Sequence, residues 1–90
     1  FDHNAKWLAR LPQEFEKLGL TMTPSVANFV LVHFPHTGKT AENADKYLQE
    51  NGVIVRKVAS YGLPDALRIT IGTDEDMELL LKLLRDYMTA

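Results

Sequence analysis

The spacing of apolar residues in the first fifth of the chain predicts an amphipathic helix. Apolar side chains recur at helical intervals over residues 4–18, and Gly19 follows where a helix commonly ends. Pro12 lies inside this stretch. Because a proline removes one helical hydrogen bond and its ring crowds the preceding turn, we expect a kink or a restart near Leu11.

Two further helices are predicted, each with a residue that suits its first position. Thr40 is a favourable N-cap for a helix over 41–50. Thr73 begins a capping-box pattern before a helix over 74–88, whose acidic first turn suits the helix dipole. The last helix carries an apolar stripe at helical spacing, made of Met77, Leu80, Leu81, Leu84 and Met88.

Runs of β-branched and aromatic residues predict three strands, over 28–34, 53–58 and 67–71. The segment 59–66 is predicted to be a loop, and 20–27 to be a turn leading into the first strand. The last two strands are too close in sequence for a parallel crossover, so we expect them to pair antiparallel.

The predicted order of elements is α, β, α, β, β, α. This order predicts the α+β class: a small antiparallel or mixed three-stranded sheet with the helices packed on one face. Ninety residues suffice for one core, so we expect a single domain over 1–90.

Composition and charge narrow the classes of function. A formal net charge of -2 argues against an extended nucleic-acid interface, and no apolar run approaches the ~20 residues that a membrane span requires. The chain has no cysteine, which excludes disulfides and thiolate chemistry and fits a reducing cytoplasm.

The polar clusters do not match the common catalytic or metal-binding patterns. The three histidines, His3, His33 and His36, lack the spacing of a metal site and are interpreted as surface or loop residues. A helix start that complements the dipole explains the acidic run of Asp74, Glu75, Asp76 and Glu78.

Two arginines lie on the predicted strands around the 59–66 loop. Alternation along the strand places Arg68 and Thr70 on the face opposite Leu67, Ile69 and Ile71, and Arg56 alternates with its apolar neighbours in the same manner. Both guanidinium groups would then leave the core side together and converge on an anion. Alternatively, both simply face solvent on an exposed sheet.

Long segments of the chain resemble the C-terminal end of the histidinol-phosphate aminotransferases. The resemblance covers residues 4–88 and includes "TPSVANFVLVHFP" and "NGVIVRKVASYGLPDALRITIGTDEDMELLLKLL". These proteins are pyridoxal-phosphate enzymes of the aspartate-aminotransferase fold. The resemblance implies that this chain is their small C-terminal domain, which closes over an active site built mainly by a large domain.

The resemblance also implies roles for four residues. Arg68 matches the arginine that receives the anionic end of the substrate, which is the α-carboxylate of glutamate or the phosphate of L-histidinol phosphate. Arg56 matches a second contact on the phosphate side. Asn28 and Tyr61 match family positions near these elements, and we expect them to take part in substrate binding.

The family's lysine that binds pyridoxal phosphate lies in a Ser-x-x-Lys-type stretch, which does not occur here. The resemblance therefore places the catalytic and cofactor-binding residues outside this chain. Because the chain also begins at Phe1 without an initiator methionine, we expect it to be a fragment that is inactive alone. The full-length enzyme is expected to be a cytoplasmic homodimer that uses glutamate and 2-oxoglutarate as the second substrate pair.

Other functions remain open at this point. An aromatic-amino-acid aminotransferase or a phosphothreonine decarboxylase of the same fold also needs an arginine for an anionic end. A stand-alone α+β ligand-binding or interaction module would share only ancestry with the enzymes.

Overall fold

A computed structural model describes residues 2–24 and 28–90, which form an α+β fold with an antiparallel sheet of strand order β1-β2-β4-β3. Its elements in chain order are α1 (Asp2–Lys17), β1 (Thr21–Pro24), β2 (Phe29–His33), α2 (Ala41–Glu50), β3 (Arg56–Val58), β4 (Leu63–Thr70) and α3 (Asp74–Thr89). A short 3-10 helix, Ala59–Tyr61, lies between β3 and β4. None of the helices within these ranges is long and apolar enough to cross a membrane.

The two central strands, β2 and β4, divide the sheet into a core face and an open face. They pair antiparallel with Val30 opposite Ile69 and Leu31 opposite Arg68. Val30 and Ile69 are buried, whereas Leu31 and Arg68 are only half-buried. Because successive side chains of a strand point to opposite faces, one face packs against the helices and the other is accessible.

All three helices contribute to one hydrophobic core on that face of the sheet. The largest side chains that are fully buried in it come from both layers: Trp7, Phe15, Leu11, Leu48, Leu67, Ile69, Leu80, Leu81, Leu84, Val30 and Val32. The predicted packing of the helices on one face is therefore confirmed, as is the apolar stripe of α3.

The predicted number of strands was too small, because β1 also belongs to the sheet. Thr21–Pro24 pairs antiparallel with β2, with Thr21 opposite His33 and Thr23 opposite Leu31. The sequence predicts a turn leading into a strand over 20–27. Four residues with a proline carry a weak local strand signal, and the neighbouring strand supplies the partner that stabilises them. Residues 25–27 lie outside the described part of the chain.

The boundaries around β3 and β4 also differ from the prediction. Only Arg56–Val58 of the predicted strand 53–58 is extended and paired, and β4 begins at Leu63, inside the predicted loop. Pairing is irregular between Lys57 and Val58, since Val58 lies opposite Leu63. Long-range pairing with β3 thus extends β4 through a segment whose glycine and proline suggested a loop.

The first helix is continuous from Asp2 to Lys17. Of the kink or restart predicted near Leu11, the restart is therefore wrong, and the kink stays a prediction. Pro12 is exposed, whereas Trp7, Leu11 and Phe15 on the opposite face are fully buried. Burial of that face holds the helix together although one backbone hydrogen bond is missing.

The predicted glycine stop of α1 and the predicted N-caps of α2 and α3 are confirmed. Gly19 has a φ of 77°, and the backbone N–H groups of Gly19 and Leu20 donate to the carbonyls of Glu16 and Phe15 in a Schellman arrangement. The Thr40 hydroxyl accepts from the N–H of Asn43, and Thr73 forms the reciprocal capping box at the start of α3.

Candidate anion-binding site

Arg56 and Arg68 are directly opposite each other on β3 and β4. Their Cα atoms are register partners, so their side chains leave the sheet on the same face. The neighbours of Arg68 along the strand, Leu67 and Ile69, are buried against the helices, and the arginines therefore lie on the open face. The structure thus brings together the two arginines that the sequence singled out.

Arg68 is held by an aromatic ring from the next strand. Its guanidinium carbon lies 4.9 Å from the centroid of the Phe29 ring, a distance at which a cation is attracted to the ring face. Phe29 is opposite Thr70, two residues from Arg68, so the contact runs diagonally across the open face. Phe29 is a site residue that was not predicted, although its position two residues before Leu31 on an alternating strand was a usable signal.

The two arginines border a cavity of about 380 Å³, whose lining is completed by Lys57, Val58 and Tyr61. A cavity of this size is at the lower end of the range for small-molecule sites. Lys57 occupies a different strand position from Arg56, because its register partner is Leu67, whose side chain is buried in the core. The cations that share the open face in this cavity are therefore Arg56 and Arg68.

Neither of these guanidinium groups has a carboxylate partner within residues 2–24 and 28–90. The ion pairs of arginines in those ranges join Arg10 and Arg85 to glutamates of α1 and α3. The Nε atom of Arg68 is buried without a hydrogen-bond partner. Two facing like charges repel each other, and a buried donor without an acceptor is unfavourable, so the arrangement favours a bound anion.

Tyr61 lies at this cavity, whereas Asn28 does not. The Tyr61 side chain is exposed and contributes to the lining. Asn28 is exposed beside the start of β2, and its backbone carbonyl accepts a 2.7 Å hydrogen bond from the N–H of Ile71. The expected role of Asn28 in substrate binding stays a prediction.

The acidic run at the start of α3 has a second role that the sequence analysis missed. Asp74 accepts hydrogen bonds from the Trp7 indole at 2.8 Å and from Lys6 at 3.1 Å, and Glu78 pairs with both terminal nitrogens of Arg10. The Trp7 and Lys6 hydrogen bonds lower the pKa of Asp74, and the Arg10 hydrogen bond lowers the pKa of Glu78. These acids therefore connect α1 to α3.

The histidines make local contacts. A ring nitrogen of His33 lies 2.7 Å from the Thr23 hydroxyl, and one of His36 lies 3.3 Å from the Asp65 carboxylate. In the part of the chain that the structure describes, no cluster of three histidine, cysteine, aspartate or glutamate side chains is arranged to hold a metal ion.

The lysines do not form a site for pyridoxal phosphate. Lys39 is half-buried, with its amine 5.1 Å from the centroid of the Tyr87 ring, and the other five lysines are exposed. A lysine that reacts with an aldehyde needs a desolvated pocket or another group that lowers its pKa. The lysines in the described part of the chain therefore do not fit the cofactor.

Known aminotransferases share this sequence over most of its length. The sequence model of the family described as aminotransferase class I and II matches residues 5–84. Histidinol-phosphate aminotransferases from Rhodopseudomonas palustris (strain BisA53) and Maricaulis maris (strain MCS10) are 58% and 51% identical to this chain over 96% and 99% of its length.

The chain spans only about a quarter of these relatives, 24% and 25% of their respective lengths. A crystal structure from Burkholderia pseudomallei K96243, named as an aminotransferase, superposes with a TM-score of 0.83 at 31% identity, covering 97% of this chain and 26% of that one. Because the family match extends over most of the sequence, the chain belongs to the class I and II aminotransferases.

Proposed function

We propose that this chain is the substrate-anion-binding small domain of a histidinol-phosphate aminotransferase, an enzyme that transfers an amino group between L-histidinol phosphate and 2-oxoglutarate. The observation that carries the proposal is the facing pair Arg56 and Arg68, which has no carboxylate partner among the described residues. The relatives that share more than half of the sequence are named for this activity. They favour it over the aromatic-amino-acid, phosphothreonine and interaction-module alternatives.

The two arginines differ in how firmly the sheet holds them, and this suggests different roles. Arg68 is on a central strand, half-buried and stacked on Phe29, so its guanidinium is restrained before a ligand arrives. It suits the anionic end of the substrate in both half-reactions, which is the α-carboxylate of glutamate in one and the phosphate of histidinol phosphate in the other. Arg56 is exposed on the edge strand β3 and suits the phosphate alone.

A bidentate grip on the anionic end would orient the rest of the substrate. A guanidinium donates two parallel hydrogen bonds to a carboxylate or phosphate, which fixes direction as well as position. Holding the reacting amine in a fixed orientation lowers the entropic part of the barrier. Pyridoxal phosphate, when bound elsewhere in the full-length polypeptide, would supply the electron sink for transamination. A homodimeric, cytoplasmic enzyme is part of the same proposal.

The proposal is tested by steady-state kinetics of both half-reactions in the full-length protein. Arg68→Ala should lower kcat/KM for glutamate and for histidinol phosphate. The loss of transition-state stabilisation should be about 2–5 kcal/mol, the cost of truncating one partner of a desolvated charge pair. Arg56→Ala should affect histidinol phosphate more strongly than glutamate.

Arg85→Ala is a matched control, because Arg85 is an exposed arginine on α3, outside the cavity. It should leave both half-reactions nearly unchanged. Unaltered kinetics in Arg68→Ala would refute the assignment of Arg68, and equal losses in Arg56→Ala would remove the phosphate-specific role of Arg56.

A further inference from the structure

Tyr61 is a large aromatic residue that the fold leaves exposed beside the two arginines. Its side chain is 81% accessible, yet it lines the same cavity as Arg56 and Arg68. The hydroxyl makes no hydrogen bond to any group that the structure describes. A phenol in this position is a neutral donor next to two fixed positive charges.

The backbone around Tyr61 is shaped to bring it to this cavity. Strand pairing is irregular between Lys57 and Val58, and irregularities of this kind often redirect side chains next to binding sites. A 3-10 helix, Ala59–Tyr61, follows at once and ends at Gly62. Gly62 has a φ of 80° and donates its N–H to the Ala59 carbonyl at 3.0 Å, a closed turn that a residue with a side chain adopts poorly.

The donors at the cavity suit a phosphate better than a carboxylate. A carboxylate has two oxygens, and the fork of one guanidinium binds both of them. A phosphate monoester has three terminal oxygens and a charge of about −1.5 to −2 near neutral pH. A second guanidinium and a phenol hydroxyl therefore gain more on a phosphate, which offers a third oxygen and a larger negative charge, than on a carboxylate.

We infer that Tyr61 is a specificity-determining residue, whose hydroxyl donates to a phosphate oxygen held between Arg56 and Arg68 and favours phosphate monoesters over carboxylates. This inference rests on the proposed anion site and deepens it. The tyrosine determines the preference between the two substrates, whereas the arginines supply most of the affinity for the anion. Tyrosine suits this task because it has few rotatable bonds to immobilise when the ligand binds.

The test measures inorganic phosphate and acetate as competitive inhibitors of the full-length protein. Tyr61→Phe keeps the ring and removes the hydroxyl. Removing one hydrogen bond to a charged group lowers the affinity by about 10-fold or more, so the inhibition constant of phosphate should rise by about that factor. The constant for acetate should stay within about twofold of the wild-type value, which a merely structural role of the hydroxyl would not predict.

Tyr47→Phe is the matched control, since Tyr47 packs against Tyr87 on the helical side, 5.6 Å between ring centroids, and is remote from the cavity lining. It should leave both inhibition constants unchanged. The KM for histidinol phosphate should rise in Tyr61→Phe while the KM for glutamate does not, because only the former substrate presents a phosphate.

Separate outcomes overturn the two proposals. If Arg68→Ala abolishes phosphate inhibition but Tyr61→Phe does not alter it, or weakens phosphate and acetate equally, the anion site stands and the role of Tyr61 is wrong. A loss seen in Tyr61→Ala but absent from Tyr61→Phe would assign the effect to the ring and would also overturn the role of the hydroxyl. If both arginine variants retain wild-type phosphate inhibition, the anion site itself is wrong.

Discussion

Replacing Arg56 by glutamine should make the anion-free chain more stable. Arg56 faces Arg68 in register, and like charges directly opposite on a sheet destabilise it by about 0.2–1 kcal/mol. Coulomb's law gives about 1 kcal/mol for two unit charges 4 Å apart in water and less at larger separations, which agrees with the upper end of this range. Arg56 is exposed, so its removal sacrifices little packing. We therefore expect the free energy of unfolding to rise by about 0.5–1 kcal/mol.

For a domain of this size, that gain corresponds to a rise in Tm of about 2–8 °C. The measurement is thermal and urea unfolding of the 90-residue chain at low ionic strength, without phosphate or carboxylate buffers. The only tryptophan, Trp7, is fully buried and provides a fluorescence probe. The gain should shrink in 1 M sodium chloride, where the Debye length is about 3 Å and the repulsion is screened.

Lys57→Gln is the matched control, because it removes the same charge from the next residue, whose register partner is the uncharged Leu67. It should change stability much less at low salt. Inorganic phosphate should then stabilise the wild-type chain more than it stabilises the Arg56→Gln variant, since the stabilisation by a ligand increases with its affinity for the folded state. A fall in stability, or a gain equal to that of Lys57→Gln, would show that the guanidinium groups do not repel each other.

Three further predictions concern the core, the acidic helix start and the cofactor. Leu67→Ala should destabilise the chain by about 2–5 kcal/mol in urea unfolding, because Leu67 is fully buried between sheet and helices; a loss below 1 kcal/mol would contradict that burial. The pKa of Asp74 is lowered in the folded state, so its stabilising effect is present above the ordinary carboxyl pKa and is lost as pH falls below about 4. Acid unfolding followed by Trp7 fluorescence should be less steep in Asp74→Asn than in the wild type, and a steeper transition would refute this. Incubation of the chain with pyridoxal phosphate, then borohydride reduction and peptide mapping, should find no single stoichiometrically modified lysine; one such lysine would place the cofactor site within this chain.

The parts of the fold that the sequence predicted are those encoded by local chemistry. Thr40 and Thr73 cap helices through groups three residues away, and Gly19 ends α1 through its own backbone conformation. Such signals depend only on near neighbours in the chain, so they can be recognised without knowledge of the tertiary structure.

The parts that were missed depend on distant partners. β1 is stable because β2 lies beside it, and β4 extends back to Leu63 because β3 pairs with it. The hydrogen bond between Trp7 and Asp74 joins residues 67 positions apart. Sequence alternation could assign Arg56 and Arg68 to one face, but only the strand register places them opposite each other.

The arrangement of the sheet explains how a small domain can carry a strained cationic pair. One face of β2 and β4 is buried against three helices, and the core residues of those strands, such as Val30, Leu67 and Ile69, stabilise the domain by burying apolar surface together with the helices. The open face contributes little packing, so the repulsion between the two arginines on it lowers the free energy of unfolding only slightly. The same repulsion makes the anion-free site less favourable, and a bound phosphate or carboxylate removes it. In the proposed anion site, the affinity at Arg68 would therefore include the relief of its repulsion by Arg56. Selection for stability alone would not keep such a neighbour, and opposing demands of function and stability are expected at functional residues.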